Sequence, residues 1–328
     1  MLIKQIELHT HLEGTIQPEL AQQLAQRNRI KLPTNLLNEN TKGYHFDDFA
    51  HFLNVYDIVA GVIKQPRDYY DITLQYLQAR AQEQAIYVEM MYSPDHAEMV
   101  SGIPSIEHLT AIQAAINDAQ AKFDIIGRII ITAVRHFGAE KAVAVAKEAV
   151  KQHTPMCVVG FGLGGDEINF PPELFIEAYQ IAANNGLSCT VHAGEFASAQ
   201  TMLTAIKYLP IQRIGHGVRA IDCQETLAIL RDKRIALEVC PTSNIVFGIY
   251  PSMQDHPFKR LVDSGILVSI NSDDPPFVGT QLAKEYQHIQ QTFAYTDAEM
   301  INFSKMAIDA AFVDNITKQQ LHQQLTIH

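Results

Sequence analysis

A TIM-type (β/α)8 barrel is the fold this sequence predicts, with extra helices over the C-terminal mouth and at the C-terminus. Three observations predict it. Eight short apolar, β-rich runs recur along the 328 residues, mostly separated by amphipathic stretches. Most of these runs are continuous rather than alternating, as parallel strands covered by helices should be. No Gly-x-Gly-x-x-Gly follows the first run, which removes a dinucleotide-binding open sheet. Eight successive βα units then favour a barrel, read here as one domain over residues 1–328.

The runs are Ile6–Leu12, Ile86–Tyr92, Arg128–Val134, Cys157–Leu163, Ser188–His192, Arg213–His216, Ile235–Val239 and Leu267–Asn271. Between them, Pro104–Phe123, Glu140–Gln152, Pro172–Asn184 and Asp222–Arg231 read as helices. Several open on Pro or an acidic residue and stop near Gly; Gly186 is such a stop. Ile16–Leu53, which includes Asn38, is too long for a plain βα connection and is expected to form helices over the barrel mouth. Within and just after it, Phe46, Phe49, Phe52 and Tyr56 are spaced for one helical face, either core packing or an apolar lid. Asp297–Leu325 reads as two helices after the last strand.

Composition narrows the function. Hydrophobic residues make up 47% and charged residues 19%, enough for a sizeable core. A formal net charge of -11 argues against nucleic acid or an anionic membrane as partner. No apolar run approaches the ~20 residues of a membrane span, and the first residues lack a secretory pattern. Cys157, Cys189, Cys223 and Cys240 form no C-x-x-C pair and read as buried free thiols. A reducing, cytoplasmic setting is expected.

Barrel enzymes place their chemistry at the C-terminal ends of the strands. The first run ends in His9 and His11, which share one face of a strand at a spacing of two. The fifth ends in His192-Ala193-Gly194-Glu195, the sixth in His216-Gly217, the eighth in Asn271-Ser272-Asp273-Asp274. Any one of these could be a capping or core residue; jointly, at this face, that explanation is poor. Three imidazoles and a carboxylate suit Zn²⁺ or a similar divalent ion, which lowers the pKa of a bound water. Glu195 is near enough to serve as a general acid. Asp273 could bind the ion and accept a proton, and His216 could bind the ion or hold the nucleophile; spacing does not choose. The fourth run ends without a Lys to bridge two metals, so one ion is preferred.

These motifs resemble the adenosine deaminase family of zinc aminohydrolases over nearly the whole chain. The resemblance rests on Glu7-Leu8-His9-Thr10-His11-Leu12-Glu13-Gly14, Gly164-Gly165-Asp166-Glu167, His192-Ala193-Gly194-Glu195, Arg213-Ile214-Gly215-His216-Gly217, Cys240-Pro241-Thr242-Ser243-Asn244 and Asn271-Ser272-Asp273-Asp274-Pro275. It implies His9, His11, His192 and Asp273 as ligands of one Zn²⁺ per chain. It implies Glu195, His216 and Asp273 as catalytic: Glu195 protonates N1 of a purine and His216 orients the water. Gly165, Asp274, His11 and Glu13 are implied at the substrate, with the Gly165 N–H at N3 and Asp274 at N7. The implied partner is a small purine nucleoside or base.

Three positions depart from the family pattern. Glu13 stands where adenosine deaminases often have Asp and where the adenine branch frequently has Glu. Gly162 replaces a common Asp, and Met91 a common Arg. The Gly164-Gly165-Asp166-Glu167 run is similar to the nucleoside type. The expected reaction is hydrolytic deamination of adenosine (and 2'-deoxyadenosine). The alternatives are adenine or an aminodeoxyfutalosine-type nucleoside and, more remotely, a catalytically silent purine-binding protein. His45, His51, His96, His108, His153, His288, His322 and His328 read as surface or helix-face residues. His136 is either near the substrate or structural, and His256 is expected to cap the helix that follows it.

Overall fold

The computed structural model describes residues 3–37, 43–153 and 157–326; Asn38 and His328 lie outside the described residues. Among them, the strands are β1 (Gln5–Glu7), β2 (Ala85–Tyr92), β3 (Ile126–Val134), β4 (Val158–Gly164), β5 (Ser188–Cys189), β6 (His192–Ala193), β7 (Arg213–His216), β8 (Ala236–Val239) and β9 (Val268–Ile270). All paired strands are parallel, and sheet neighbours are sequence neighbours, in the orders β1-β2-β3-β4-β5 and β6-β7-β8-β9.

Backbone hydrogen bonds join the two sheets at both seams. Thr190 N–H donates to Phe161 O (3.0 Å), Gln212 N–H to Cys189 O (3.0 Å) and Gly215 N–H to Val191 O (2.8 Å). The expected fifth strand is therefore one strand interrupted between Cys189 and His192. At the other seam Thr10 bridges Asp273, and His11 bridges Met91. His11 N–H donates to Asp273 O (3.1 Å) and Asp273 N–H to His9 O (3.2 Å). The eight expected strands thus follow one another around a ring.

The first run is less regular than expected. Only Gln5–Glu7 forms a ladder, because the Leu8 N–H is taken by the Asn271 side chain at 2.8 Å. The expected helices appear as Ser105–Phe123, Ala139–His153, a 3-10 turn Pro172–Phe175 running into Ile176–Asn184, and Gln224–Lys233. Gly186 has φ +88°, a left-handed position that suits Gly after a helix. A helix at Leu282–Phe293 was not expected from the sequence.

Two extra layers close the barrel ends. Over the C-terminal mouth lie the helices Pro18–Asn28 and Phe49–Ala60, the second capped by Asp48, which accepts from the His51 N–H at 2.8 Å. Phe46 precedes that helix rather than continuing its face, yet its ring meets Phe52 and Phe247. At the opposite end, the helices Asp297–Ala310 and Asn315–Thr326 set Ile308, Ala311, Leu321 and Leu325 against Ile6, Leu8, Ile86 and Tyr87. Phe312 enters among Met91 and Ile130. Met91 is therefore an apolar wall for this plug, which explains a side chain without charge there. Gly162 faces Thr132 and Ile130, which occupy the room a larger side chain would need. The four cysteines are free, three of them buried. No helix among the described residues is long and apolar enough to cross a membrane.

Candidate active site

The strand ends bring His9, His11, His192 and Asp273 together, with one ligand atom from each within 4.8 Å of the others. Their hydrogen bonds leave the inward nitrogens free. His9 Nδ1 donates to Glu238 Oε2 (2.7 Å), and its buried Nε2 has no hydrogen-bond partner. His192 Nδ1 donates to Leu163 O (3.0 Å), so its Nε2 carries a lone pair. That Nε2 lies 3.2 Å from His11 Nε2. Asp273 Oδ1 stands 3.4 Å from both His9 Nε2 and His11 Nε2. Three imidazole nitrogens and a carboxylate oxygen thus converge on one point, and the buried His9 Nε2 among them has no hydrogen bond of its own. The donor set fits one divalent ion such as Zn²⁺.

The electrostatics agree. Burial alone would lower the His9 pKa, but the close Asp273 carboxylate and the hydrogen-bonded Glu238 raise it to about 10. The site thus attracts positive charge, which a metal would supply in place of the proton. Burial drops His11 to about 4 and pushes His192 well below the usual histidine range. Burial opposes ionisation of Asp273, yet His9 and the other facing imidazoles hold it well below the usual carboxylate range. Asp273 and His216 both adopt left-handed backbone, at φ +62° and +57°. Such positions cost of order 1–3 kcal/mol and collect where function fixes a side chain.

Glu195 and His216 flank this cluster. Glu195 Oε2 lies 3.5 Å from His216 Nε2, which is 3.9 Å from Asp273 Oδ2. Burial, then the charges of Asp273 and Glu167, push the Glu195 carboxyl well above its ordinary pKa. The shift favours its protonated form, the form that can donate. Burial drops His216 to about 3, leaving it neutral. Asp274 is likewise raised, by burial and then by Asp273, and its Oδ1 has no hydrogen-bond partner. One cavity is lined by His11, Gly165, His192, Glu195, His216, Asp273 and Asp274. The expected site residues line it or meet at its floor, with one exception. Glu13 is buried behind the wall, accepting from Tyr69 OH (2.7 Å) and Tyr56 OH (3.4 Å). Its contact with the cavity runs through Tyr56, so the expectation of a direct substrate contact is corrected.

Gly14 is required by close approach. A Cβ there would stand 1.7 Å from Asp274 Oδ1. Gly14→Ala is expected to displace Asp274 and lower kcat/KM about 10–100-fold, the scale of one hydrogen bond to a charged or acidic group, with metal content unchanged. Metal analysis alongside steady-state assay checks this.

The structure also supplies residues to which sequence reading gave no role. Glu238 orients His9 and in turn accepts from Thr190 (2.9 Å); an isolated Glu inside the apolar run 235–239 was the available signal. The Glu167 carboxylate accepts from the backbone N–H groups of Glu195 (3.1 Å), Phe196 (3.0 Å) and Ala197 (3.1 Å), and from Gly194. It thereby shapes the loop that carries Glu195. Arg135, fully buried, donates to the carbonyls of His192 and Phe170. Ser243 donates to Asp273 Oδ2 at 2.6 Å, and Asn244 Nδ2 reaches Glu195 and His216.

Three histidines change standing. His96 is not a surface residue: it is buried, binds Asp57 at 2.8 Å and lines the cavity. His108 is on a helix but buried, hydrogen-bonded to Tyr92 OH at 2.9 Å. His136 lines the cavity. His256 does cap its helix, accepting from Phe258 N–H (3.2 Å), and its Nε2 also donates to Asn244 Oδ1 (3.1 Å).

The site has close counterparts. The family profile described as adenosine deaminase matches residues 5–327. An adenine deaminase of Rhizobium leguminosarum bv. trifolii is 38% identical over 323 residues, 98% of this chain and 99% of its own length. The crystal structure of an adenine deaminase from Arthrobacter aurescens superposes with a TM-score of 0.92 at 29% identity, covering 99% of this chain and 98% of that one. An amidohydrolase structure from Burkholderia ambifaria with bound Zn gives a TM-score of 0.89 at 26% identity, covering 99% and 90%. With the family profile matched over residues 5–327 and a relative 38% identical along 98% of its length, the chain belongs to the adenosine deaminase family.

Proposed function

We propose that this chain hydrolyses the 6-amino group of the free base adenine, giving hypoxanthine and ammonia. It is a purine-deaminating hydrolase of its family; the choice of base over nucleoside is the finer reading. The observation that carries the reaction is a buried Glu195, its carboxyl pKa raised, in one cavity with a cluster of three histidines and an aspartate. Adenosine, the first expectation, gives way to adenine, the alternative, for two reasons. Relatives 38% identical are named adenine deaminases. In addition, Glu13 is buried beside Tyr56 and Tyr69 and is not among the residues lining the cavity, which sets its carboxylate back from a ribose hydroxyl.

A Zn²⁺ held by His9, His11, His192 and Asp273 would supply a water of near-neutral pKa as the nucleophile. The chain's own residues do the rest. Glu195 donates its proton to N1, which makes C6 electrophilic and offsets part of the lost aromatic conjugation. Asp273, held ionised, accepts a proton from the attacking water. Neutral His216, fixed by Asn244 at 3.3 Å, holds that water towards C6. Asp274, whose carboxyl is raised by burial and by Asp273, hydrogen-bonds a nitrogen of the five-membered ring. Asp273 passes its proton to the amino group, the C6–N bond breaks and ammonia leaves, and the C6 hydroxyl proton returns to Glu195 as the carbonyl forms. Phe49, Phe52, Leu53, Tyr56 and Phe247 line the outer cavity and keep bulk water from the ring.

Ammonia release from adenine, adenosine and an aminodeoxyfutalosine-like nucleoside, compared side by side, tests the reading. Adenine is expected to give the highest kcat/KM. A higher value for a nucleoside would overturn the choice of base, and no release from any with zinc bound would overturn the reaction.

A further inference from the structure

A chain of buried groups ties His9 to the far end of the barrel. His9 Nδ1 donates to Glu238 Oε2 at 2.7 Å, and Glu238 Oε1 accepts from Arg213 Nε at 2.5 Å. Arg213 Nη2 donates to Glu89 Oε2 (2.5 Å) and Nη1 to the Ala310 carbonyl (3.0 Å). Glu89 Oε1 accepts from the Phe312 N–H at 2.7 Å and from Tyr87 OH at 2.6 Å. The guanidinium carbon lies 3.5 Å from the Phe312 ring centroid. Glu89, Glu238 and Arg213 are all essentially inaccessible to solvent.

This arrangement couples two ends of the molecule. Ala310–Phe312 is the turn by which the C-terminal helices plug the N-terminal mouth, and Glu238 orients His9 at the C-terminal mouth. One guanidinium satisfies two buried carboxylates and the plug's carbonyl in three fixed directions, a geometry a lysine ammonium does not reproduce. Shifting Phe312 moves the ring on which the guanidinium rests. Shifting the guanidinium leaves Glu238 Oε1 with the Thr190 hydroxyl alone and removes the counter-charge that holds the carboxylate against His9. Partners that orient a metal-ligating histidine tune metal affinity.

We propose that Arg213 is a positioning residue for the metal site, and that the C-terminal plug sets metal affinity through Arg213, Glu238 and His9. The proposal rests on His9 being a ligand, as argued above. The test measures Zn²⁺ affinity by chelator competition for the full chain and for Arg213→Lys, Phe312→Ala, Glu238→Gln and Arg213→Lys with Glu238→Gln, each shown folded by near-UV circular dichroism. Arg213→Lys is expected to weaken zinc binding about 10–100-fold, and Phe312→Ala in the same direction. The double variant is expected to bind no more weakly than the worse single, as for residues acting in series. Unchanged zinc affinity in the folded Arg213→Lys and Phe312→Ala proteins, whatever their melting temperatures, overturns the proposal, as do strictly additive losses. Should Arg213→Lys fail to fold, Phe312→Leu, which keeps an apolar filler, carries the same test. A wild-type chain that binds no Zn²⁺ overturns the metal-site reading itself, and that outcome is distinct from a bound ion indifferent to Arg213.

Discussion

Glu195→Gln is expected to keep its metal and lose turnover by at least ~10²–10⁴-fold, the scale of general acid catalysis. The amide fills the same space and can still hydrogen-bond N1, but it cannot deliver a proton. The Glu195 carboxyl meets His216 and Asn244 rather than the four ligand positions, so metal content should hold. Metal analysis and ammonia release on the same preparation decide the matter; retained turnover would move the acid elsewhere. A pH dependence follows with a definite sign. Burial, Asp273 and Glu167 raise the Glu195 pKa, so the competent acid form is present below that raised value and is lost as pH rises through it. Activity should fall on the alkaline side. Glu167→Gln removes one of the negative charges that hold the pKa up, and so should move the alkaline limb to lower pH.

Removal of the ion has the second large effect. His192→Ala is expected to lose more metal affinity than the ~10–100-fold that follows loss of an outer partner, and to be inactive at ordinary metal concentrations. Chelation of the wild-type chain should abolish turnover reversibly and lower its melting temperature. A ligand present at 1,000 times its dissociation constant stabilises the native state by about 4 kcal/mol. Without it, the buried His9 Nε2 is left with no hydrogen-bond partner. Thermal melts with and without chelator, followed by zinc add-back, measure this. A melting temperature indifferent to zinc would place the ion elsewhere.

Much of the fold was legible because its signals are local. A parallel strand covered on both faces must be apolar throughout, and the stretch Ala85–Tyr92 is buried at every residue. Boundaries were less legible where tertiary hydrogen bonds compete with the ladder. Asn271 takes the Leu8 N–H and shortens the first strand, and the fifth is interrupted at Thr190–Val191. The ligand histidines were legible because a strand end presents i and i+2 to one side and a barrel collects eight such ends.

The outer partners were not legible by periodicity. Glu238 and Arg213 sit in apolar strands, and nothing local says that they face each other and Glu89 across the barrel interior. Glu167 lay within a recognised motif, but its partners are backbone N–H groups 27 to 30 residues away. His96 read as a helix-face residue because helical spacing does not reveal what packs above a helix; the lid helix Phe49–Ala60 brings Asp57 over it.

By itself the sequence determined the barrel class and singled out the residues proposed as ligands and acid, because these depend on residue identity at strand ends. Only the tertiary structure decided the occupied state of Glu13, the burial of His96 and the link from the C-terminal plug to His9. Those depend on which side chains meet across the barrel, and such contacts are made by residues far apart in the chain.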